Sequence, residues 1–344
     1  MSQHAPRRED SIAFARTREG FALPVIDVTH PRFALPADPT TLVQRLSDAF
    51  AAEERRWRLI PPFIMRMMLR SAARRSRLVH AVFHSESGFL DSISTYVMKL
   101  GPDHLVPPYD SPMDRRVASS PHVPLIRLRM QQIAQLIAGG LAADLAAARH
   151  GAPLTLIAIG GGPALDSINA VIVLRRDRPG LLDRRIVIEV LDADADGAFF
   201  GANALSALKE QGTLAGLDIT MTHHDYDWNR PAALAALIAR WVAAGAVIAA
   251  TSEGALFEYG SDQAIVENLK VLRADGAGVR HVAGSVTNAD AIRRRMINQT
   301  LFKLKPRGLH GIAPLVAAGG FGIVASEPAF LSTQDLLQAQ TSGP

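Results

Sequence analysis

Three consecutive glycines follow an apolar run of residues 154–159 and are themselves followed by Pro163, Ala164 and Leu165. Glycines let a backbone turn tightly and approach a ligand, and the free N–H groups at a helix start attract electronegative groups. A phosphate-binding loop would need Gly-Lys-Ser or Gly-Lys-Thr, which is absent here. A dinucleotide site would need a third spaced glycine where Leu165 stands. The loop therefore indicates a ligand site of another kind.

Acidic and aromatic residues follow the next three apolar runs. Asp192 directly follows the run of residues 185–191. Glu189 within this run and Asp194 just after it are the alternative acidic candidates for a ligand contact. Asp225 and Tyr226 follow residues 217–222. After residues 246–251 the chain reads Ser252, Glu253, Gly254, Ala255, Leu256, Phe257, Glu258 and Tyr259. These side chains can accept hydrogen bonds and attract a cation.

The elements that position these residues alternate between strand and helix. Strands are predicted over residues 154–159, 185–191, 217–222, 246–251, 279–285 and 321–325, with helices between them and a last helix over residues 290–303. Most strands are continuously apolar, which is typical of strands covered on both faces. The order predicts an α/β fold with a doubly wound, mostly parallel sheet, whose ligands bind beyond the carboxyl ends of the strands.

Residues 1–150 have a different pattern and are predicted to form a mainly helical lid or substrate domain, with residues 151–344 as the sheet domain. Helices are expected over residues 41–58, 62–78 and 123–149. The stretch of residues 84–121 is rich in Pro and Gly, and part of it should form helix or pack over a site because it is too long for an ordinary loop.

The segment Ile159-Gly160-Gly161-Gly162-Pro163 resembles motif I of the class I S-adenosylmethionine (SAM)-dependent methyltransferases. The resemblance covers about residues 152 to 327 and implies a Rossmann-like fold with SAM as cofactor or substrate. It assigns Gly160, Gly161, Gly162 and Pro163 to the cofactor and Asp192 to the ribose hydroxyls. Residues after 325 show no apolar seventh strand, so the final antiparallel hairpin of that family is expected to be absent or altered.

The same resemblance implies roles for the later residues. Asp225 and Tyr226 would contact the adenine, and Ser252 and Phe257 would lie beside the methionine end. The catalytic candidates are Glu253, Tyr259 and, from the N-terminal region, Tyr96.

Three uses of SAM stay open from the sequence. Methyl transfer to a small molecule of secondary or amino-acid metabolism is the leading interpretation. The second is a SAM-cyclising lyase of the azetidine-2-carboxylate synthase type, which releases methylthioadenosine and needs no acceptor. The third is a protein that binds SAM without turnover.

Composition excludes further classes. The 344 residues contain no cysteine, which excludes disulfides, thiolate metal sites and a thiol nucleophile, and no metal site is expected. The net charge is +4, with a stripe of Arg66, Arg70, Arg74 and Arg77, but interleaved aromatics are missing, so nucleic-acid binding is not expected. No signal peptide or membrane span is visible, so a cytoplasmic location is expected, and a homodimer is left open.

Overall fold

The computed structural model of the chain describes residues 12–36, 38–57, 61–83, 90–290, 293–294 and 302–340. Most of the helix predicted over residues 290–303 lies outside these ranges. Within them, no helix is both long enough and apolar enough to cross a membrane.

Seven strands form one central sheet. They are β3 (Leu154–Ile159), β4 (Ile186–Leu191), β5 (Ile219–His224), β6 (Val247–Ser252), β7 (His281–Thr287), β8 (Phe321–Pro328) and β9 (Ser332–Ala339). Their order is β5-β4-β3-β6-β7-β9-β8, and neighbours from β5 to β7 are parallel. Every residue of β3 and β4 is buried, as continuous apolar runs predict. The predicted α/β doubly wound sheet is confirmed.

The expectation that the final hairpin is absent or altered was wrong. β9 runs antiparallel to both β7 and β8 and forms an inner strand of the sheet. Its sequence, STQDLLQA, lacks an apolar run because buried polar side chains stand in it. The Gln334 amide donates to Gln132 Oε1 at 2.8 Å, and the Asp335 carboxylate accepts hydrogen bonds from Ser326 and Thr333. Buried polar groups are tolerated when they are bonded in this way.

Helices cover both faces of the sheet. On one face, α6 (His122–Ala147), α7 (Leu165–Asp177) and α8 (Ala195–Gln211) share a core with β3 and β4. On the other face, α9 (Ala232–Ala243), α11 (Asp262–Arg273) and α12 (Gly308–Ala318) pack on a second core. A single turn, α10 (Leu256–Tyr259), follows β6.

The N-terminal region is mainly helical. It contains α1 (Thr40–Trp57), α2 (Pro62–Ala73), α3 (Arg77–Phe83), α4 (Ser92–Leu100) and α5 (Pro112–Ala118), preceded by a short hairpin of β1 (Phe14–Arg16) and β2 (Ala22–Pro24). The helix predicted over 62–78 is therefore two helices, and the expectation of helix within 84–121 is confirmed by α4 and α5.

The domain division at residue 150 stays a prediction, but the packing of α6 does not follow it. α6 precedes residue 150, yet its Met130, Ile133 and Ile137 are fully buried in the core that includes Leu156 of β3. α6 therefore packs on the sheet, and Leu78 of α3, Leu100 of α4 and Ala118 of α5 belong to the same core.

Candidate functional site

A cavity of about 1850 Å³ lies at the carboxyl ends of the central strands. Its sheet side includes Gly160 after β3, Asp192 after β4, Tyr226 after β5 and Gly254 after β6. Residues of α2 to α6 and the loops between them form the facing wall. The site therefore lies at the ends of β3 and β6, from which the chain continues to opposite faces of the sheet. Doubly wound sheets bind ligands at this position.

Backbone conformation and packing both require glycine in the loop after β3. Gly160 has φ of +62°, and a Cβ there would lie 2.5 Å from the Ala255 Cβ. Gly162 has φ of +50°, and a Cβ there would lie 2.6 Å from the Ser92 Oγ. Left-handed φ values and such close contacts both disfavour a side chain. Of the loop, Gly160 lines the cavity, whereas Gly161 and Gly162 face protein atoms.

Pro163 also faces protein atoms. A Cβ on Gly201 of α8 would lie 2.3 Å from the Pro163 carbonyl oxygen, so the two segments are in close contact. The structure thus places Pro163 and Gly201 against each other. Pro163 fixes the approach of the loop to α8 and does not border the cavity.

The loop amides are largely used by the protein itself. The Gly160 N–H donates to the Leu191 carbonyl at 2.8 Å, and the Ala164 N–H donates to the Gly161 carbonyl at 2.8 Å. The Gly162 N–H donates to Asp192 Oδ2 at 2.6 Å. A carboxylate therefore stands at the amide where a phosphate-binding loop would receive its anion.

Asp192 is fixed by two backbone amides. Its Oδ1 accepts from the Asp194 N–H at 2.7 Å and its Oδ2 from the Gly162 N–H. Burial raises the pKa of Asp192, and the two amide hydrogen bonds oppose that rise. Each carboxylate oxygen keeps a further lone pair. Asp192 can therefore accept hydrogen bonds from a ligand without losing its place.

The two alternatives to Asp192 have other partners. Asp194 caps α8, accepting from the Asp196 N–H at 2.9 Å, and accepts from the Ser92 N–H of α4 at 3.0 Å. Burial works against its ionisation, but hydrogen bonds from Ser92 and the α8 amides lower the pKa of Asp194. Glu189 is buried within β4 and accepts from Trp241 Nε1 at 2.9 Å, away from the cavity. Of the three carboxylates, those of Asp192 and Asp194 border the cavity, and Glu189 does not.

After β5, the cavity wall includes Asp227 and not the predicted Asp225, and both side chains are exposed. Tyr226 borders the cavity, and its hydroxyl donates to Asn268 Oδ1 at 2.5 Å. Trp228 also lines it, close to Gly160. The pattern of residue types does not tell which of the two aspartates borders the cavity.

Ser252 and Phe257 do not border the cavity, contrary to their predicted contact with a ligand. The Ser252 hydroxyl donates to the Ile159 carbonyl and accepts from the Leu256 N–H, both at 3.0 Å. It therefore ties the end of β3 to the turn after β6. Phe257 is 2% exposed and packs against Gly284 of β7, so it fills the core.

Glu253 belongs to a buried ion network. It pairs with Lys99 of α4 and accepts from Arg129 Nε of α6 at 2.6 Å. Burial alone would raise its pKa, but Lys99 and Arg129 hold the pKa of Glu253 below its usual value. Arg129 also lies 3.5 Å from Glu258, which does line the cavity.

Sequence reasoning missed both cations of this network. Lys99 and Arg129 lie 154 and 124 residues from Glu253. Their helices carry no local signal that pairs them with β6. Burial disfavours the charge of Arg129, but Glu253 and Glu258 outweigh it and raise the pKa of Arg129.

The two predicted catalytic tyrosines lie in different places. Tyr259 lines the cavity, and burial together with the Glu258 charge raises the pKa of its phenol. Tyr96 is 1% exposed and outside the cavity wall. Its hydroxyl donates to the Pro24 carbonyl and accepts from the Ile26 N–H at 3.0 Å. Tyr96 therefore fastens the N-terminal segment to α4, and the structure gives it no contact with reacting groups.

No group of three or more metal-ligating side chains occurs in the described part of the chain. No family model matches the sequence, and no curated protein matches it.

Several solved structures match part of the chain. The magnesium protoporphyrin IX methyltransferase of Synechocystis PCC 6803 with bound S-adenosylhomocysteine is 14% identical, with a TM-score of 0.40 over 64% of this chain and 87% of that one. A possible exported protein from Bordetella parapertussis is 15% identical, with a TM-score of 0.47 over 80% and 95%. The pyocyanin biosynthetic protein PhzM is 12% identical, with a TM-score of 0.40 over 66% and 57%. Similarity at this level defines no substrate for this chain.

Proposed function

We propose that this protein is a SAM-dependent methyltransferase acting on a small molecule. The central sheet has the strand order β5-β4-β3-β6-β7-β9-β8 with β9 antiparallel, which supplies the final hairpin that the resemblance to class I methyltransferases requires. A large cavity lies at the ends of β3 and β6. The glycine loop after β3 and the acidic residue after the adjacent strand β4 both border it.

One observation supports this proposal more than any other: the Asp192 carboxylate lies 2.6 Å from the Gly162 amide. A pyrophosphate placed at the same loop would meet a negative charge and amides that are already bonded. A nucleoside offers hydroxyl donors instead, and carboxylate oxygens accept them well. The loop therefore favours a nucleoside that carries positive charge over a dinucleotide.

The other cavity residues fit a nucleoside with a cationic end. Asp192 would accept from the ribose hydroxyls, and Tyr226 and Trp228 would flank the base with Asp227 beside it. Glu258 and Tyr259 provide a carboxylate and an aromatic ring, both of which attract a cation. When bound, SAM supplies a methyl group activated by its sulfonium.

The cavity volume favours transfer to an acceptor. Typical small-molecule pockets measure about 300–1000 Å³, whereas this cavity measures about 1850 Å³. It has room for a second molecule beside the nucleoside. The cyclising alternative needs no such space, and no feature of the described residues favours it over transfer.

The residues around the cavity would act mainly by orientation. The raised pKa of Tyr259 keeps its phenol protonated at neutral pH, so it donates a hydrogen bond and is a poor base. Glu253 acts through Arg129, which in turn positions Glu258. Holding two reactants in line can itself lower a barrier by several kcal/mol, about 7–11 kcal/mol at the limit.

The test is product analysis by mass spectrometry. Purified protein is incubated with SAM alone and then with SAM and an extract of small metabolites. Transfer predicts S-adenosylhomocysteine only when the extract is present. Methylthioadenosine from SAM alone would instead support cyclisation, and binding of NAD or NADP without binding of SAM would overturn the proposal.

A further inference from the structure

Charged side chains line both sides of the cavity. At the sheet side stand Asp192, Asp194 and Asp227. On the facing side, the junction between α2 and α3 brings Arg74, Arg75 and Arg77 to the wall. We call the three aspartates, where we place the nucleoside, the acidic end and the three arginines the basic end.

Three carboxylates, Glu19, Asp91 and Asp114, also line the cavity on this side, and each is already bonded. Asp91 accepts from the Ser94 N–H at 2.7 Å. Glu19 pairs with Arg77, whose Nη1 lies 3.0 Å from Glu19 Oε2. Asp114 accepts from the Ser76 and Ser111 hydroxyls, each at 2.5 Å, and from the Leu78 N–H at 3.0 Å. Those contacts use Asp114 to join α3 to α5.

Arg74 and Arg75 stand apart from these pairs. Both line the cavity, and both are exposed. Within the described ranges, neither guanidinium makes a hydrogen bond or ion pair to another residue. Among those residues, two positive charges therefore border the cavity without a paired carboxylate.

The cavity wall is largely apolar. Val82, Leu90, Met98, Val123 and Ile126 are among the residues that line it. A molecule that fills the cavity therefore buries apolar surface against these side chains, and it can place an anion at the arginines.

We propose that the acceptor is an amphipathic anion: an apolar body in the middle of the cavity, with a carboxylate, sulfonate or phosphate at Arg74 and Arg75. Guanidinium groups bind such planar or tetrahedral anions through paired N–H donors. The role of this anion as methyl acceptor rests on the proposed methyl transfer, whereas the anion site itself does not depend on it.

The cavity has a second basic pair, which already has acidic neighbours. Arg129 is paired with Glu253 and lies 3.5 Å from Glu258. Burial lowers the pKa of Arg293, and the charges of Glu258 and Asp290 oppose that fall. An anion at that end would meet these carboxylates. Arg74 and Arg75 are therefore the better place for it.

The experiment compares two fluorescent probes with the same apolar rings. Anilinonaphthalene sulfonate carries an anion, and phenylnaphthylamine lacks it. Both are titrated into the wild type and the double variant Arg74→Gln/Arg75→Gln. The matched control is Arg178→Gln/Arg185→Gln, which removes two exposed arginines that do not border the cavity. SAM affinity is measured calorimetrically in all three proteins.

The proposal predicts that the sulfonate probe binds the cavity variant about 10-fold more weakly, with the neutral probe and the control unchanged. Added salt should weaken the sulfonate probe in the wild type and have little effect in the variant. Equal binding of both probes, or unchanged sulfonate binding in the variant, would overturn the anion site. Failure of SAM to bind while probe discrimination persists would overturn the proposed methyl transfer and leave the anion site standing.

Discussion

The ends of β4 and β6 lie on either side of β3 at the site but hold their carboxylates differently. At the end of β4, Asp192 is held by the backbone amides of Gly162 and Asp194. At the end of β6, Glu253 is held by the charged side chains of Lys99 and Arg129 from α4 and α6. One arrangement is built from local backbone, and the other from distant helices.

The two carboxylates therefore have different roles: Asp192 is available to bind a ligand, and Glu253 joins helices to the sheet. Asp192 borders the cavity and keeps free lone pairs, so it can meet a ligand. Glu253 is enclosed by its cations and reaches the cavity only through Arg129 and Glu258. We therefore expect changes at β6 to affect stability most, and changes at Asp192 to affect binding most.

The largest effect is expected for Glu253→Gln. Removing this charge leaves Lys99 and Arg129 buried without their main partner, so the free energy of unfolding should fall by about 3–5 kcal/mol. Denaturant unfolding measures it. Glu267→Gln is the control, since Glu267 forms an exposed pair with Lys270 at 3.1 Å, and its loss should be below about 1 kcal/mol. Similar losses for both variants would contradict the enclosed network.

Gly160→Ala should cost about 2–4 kcal/mol of unfolding free energy, because a left-handed φ and an overpacked contact each cost about 1–3 kcal/mol. The new Cβ would lie 2.5 Å from that of Ala255. Gly180→Ala is the matched control, because nothing lies within 4 Å of its Cβ position. Thermal unfolding of both variants is the measurement, and a stable Gly160→Ala protein would refute the packing described for the loop.

Asp166→Asn should raise stability in a pH-dependent way. Burial, reinforced by the Glu253 charge, raises the pKa of Asp166 to about 6. The folded protein therefore retains a proton that the unfolded chain releases near pH 4, so the wild type loses stability as the pH rises from about 4 to about 6. The variant lacks this titration.

The stability difference between Asp166→Asn and the wild type should consequently grow by up to about 3 kcal/mol from about pH 4 to about pH 7. Unfolding curves across that pH range measure it. A difference that stays flat across this pH range would show that burial does not raise the pKa of Asp166.

Ser252→Ala should have the smallest effect on stability, about 1–2 kcal/mol, from the loss of two hydrogen bonds that join β3 to the turn after β6. Its SAM affinity should stay within about twofold of the wild type if the hydroxyl faces away from the cavity. Calorimetry measures the affinity. A large loss of affinity with intact stability would restore Ser252 to the cofactor site.

The sequence predicted the parts of this molecule that local patterns encode. The apolar run of residues 154–159 coincides with β3, and the glycine loop and Asp192 stand where the pattern placed them. β9 was not predicted from the sequence because its buried Gln334 and Asp335 are bonded to partners that only the folded sheet brings near. The same reason hides Lys99 and Arg129.

The direction of individual side chains was the second feature that the sequence could not predict. Asp225 and Asp227 are two residues apart and carry the same chemical group, yet only Asp227 borders the cavity. Tyr96 has the chemistry of a catalytic residue, but its hydroxyl is used by the backbone near Ile26. Which way a loop residue points depends on tertiary packing, which the pattern of residue types does not contain.

The most direct test of the account is calorimetric titration of SAM into the wild type, Asp192→Asn and Asp225→Asn, with circular dichroism confirming that all three are folded. The two variants make the same chemical change at the ends of adjacent strands. We predict that Asp192→Asn weakens binding about 10- to 100-fold, because a charge-assisted hydrogen bond contributes roughly 1.5–3 kcal/mol, and that Asp225→Asn leaves it unchanged. Unchanged affinity in Asp192→Asn, or an equal loss in Asp225→Asn, would contradict the assignment of Asp192 to the nucleoside.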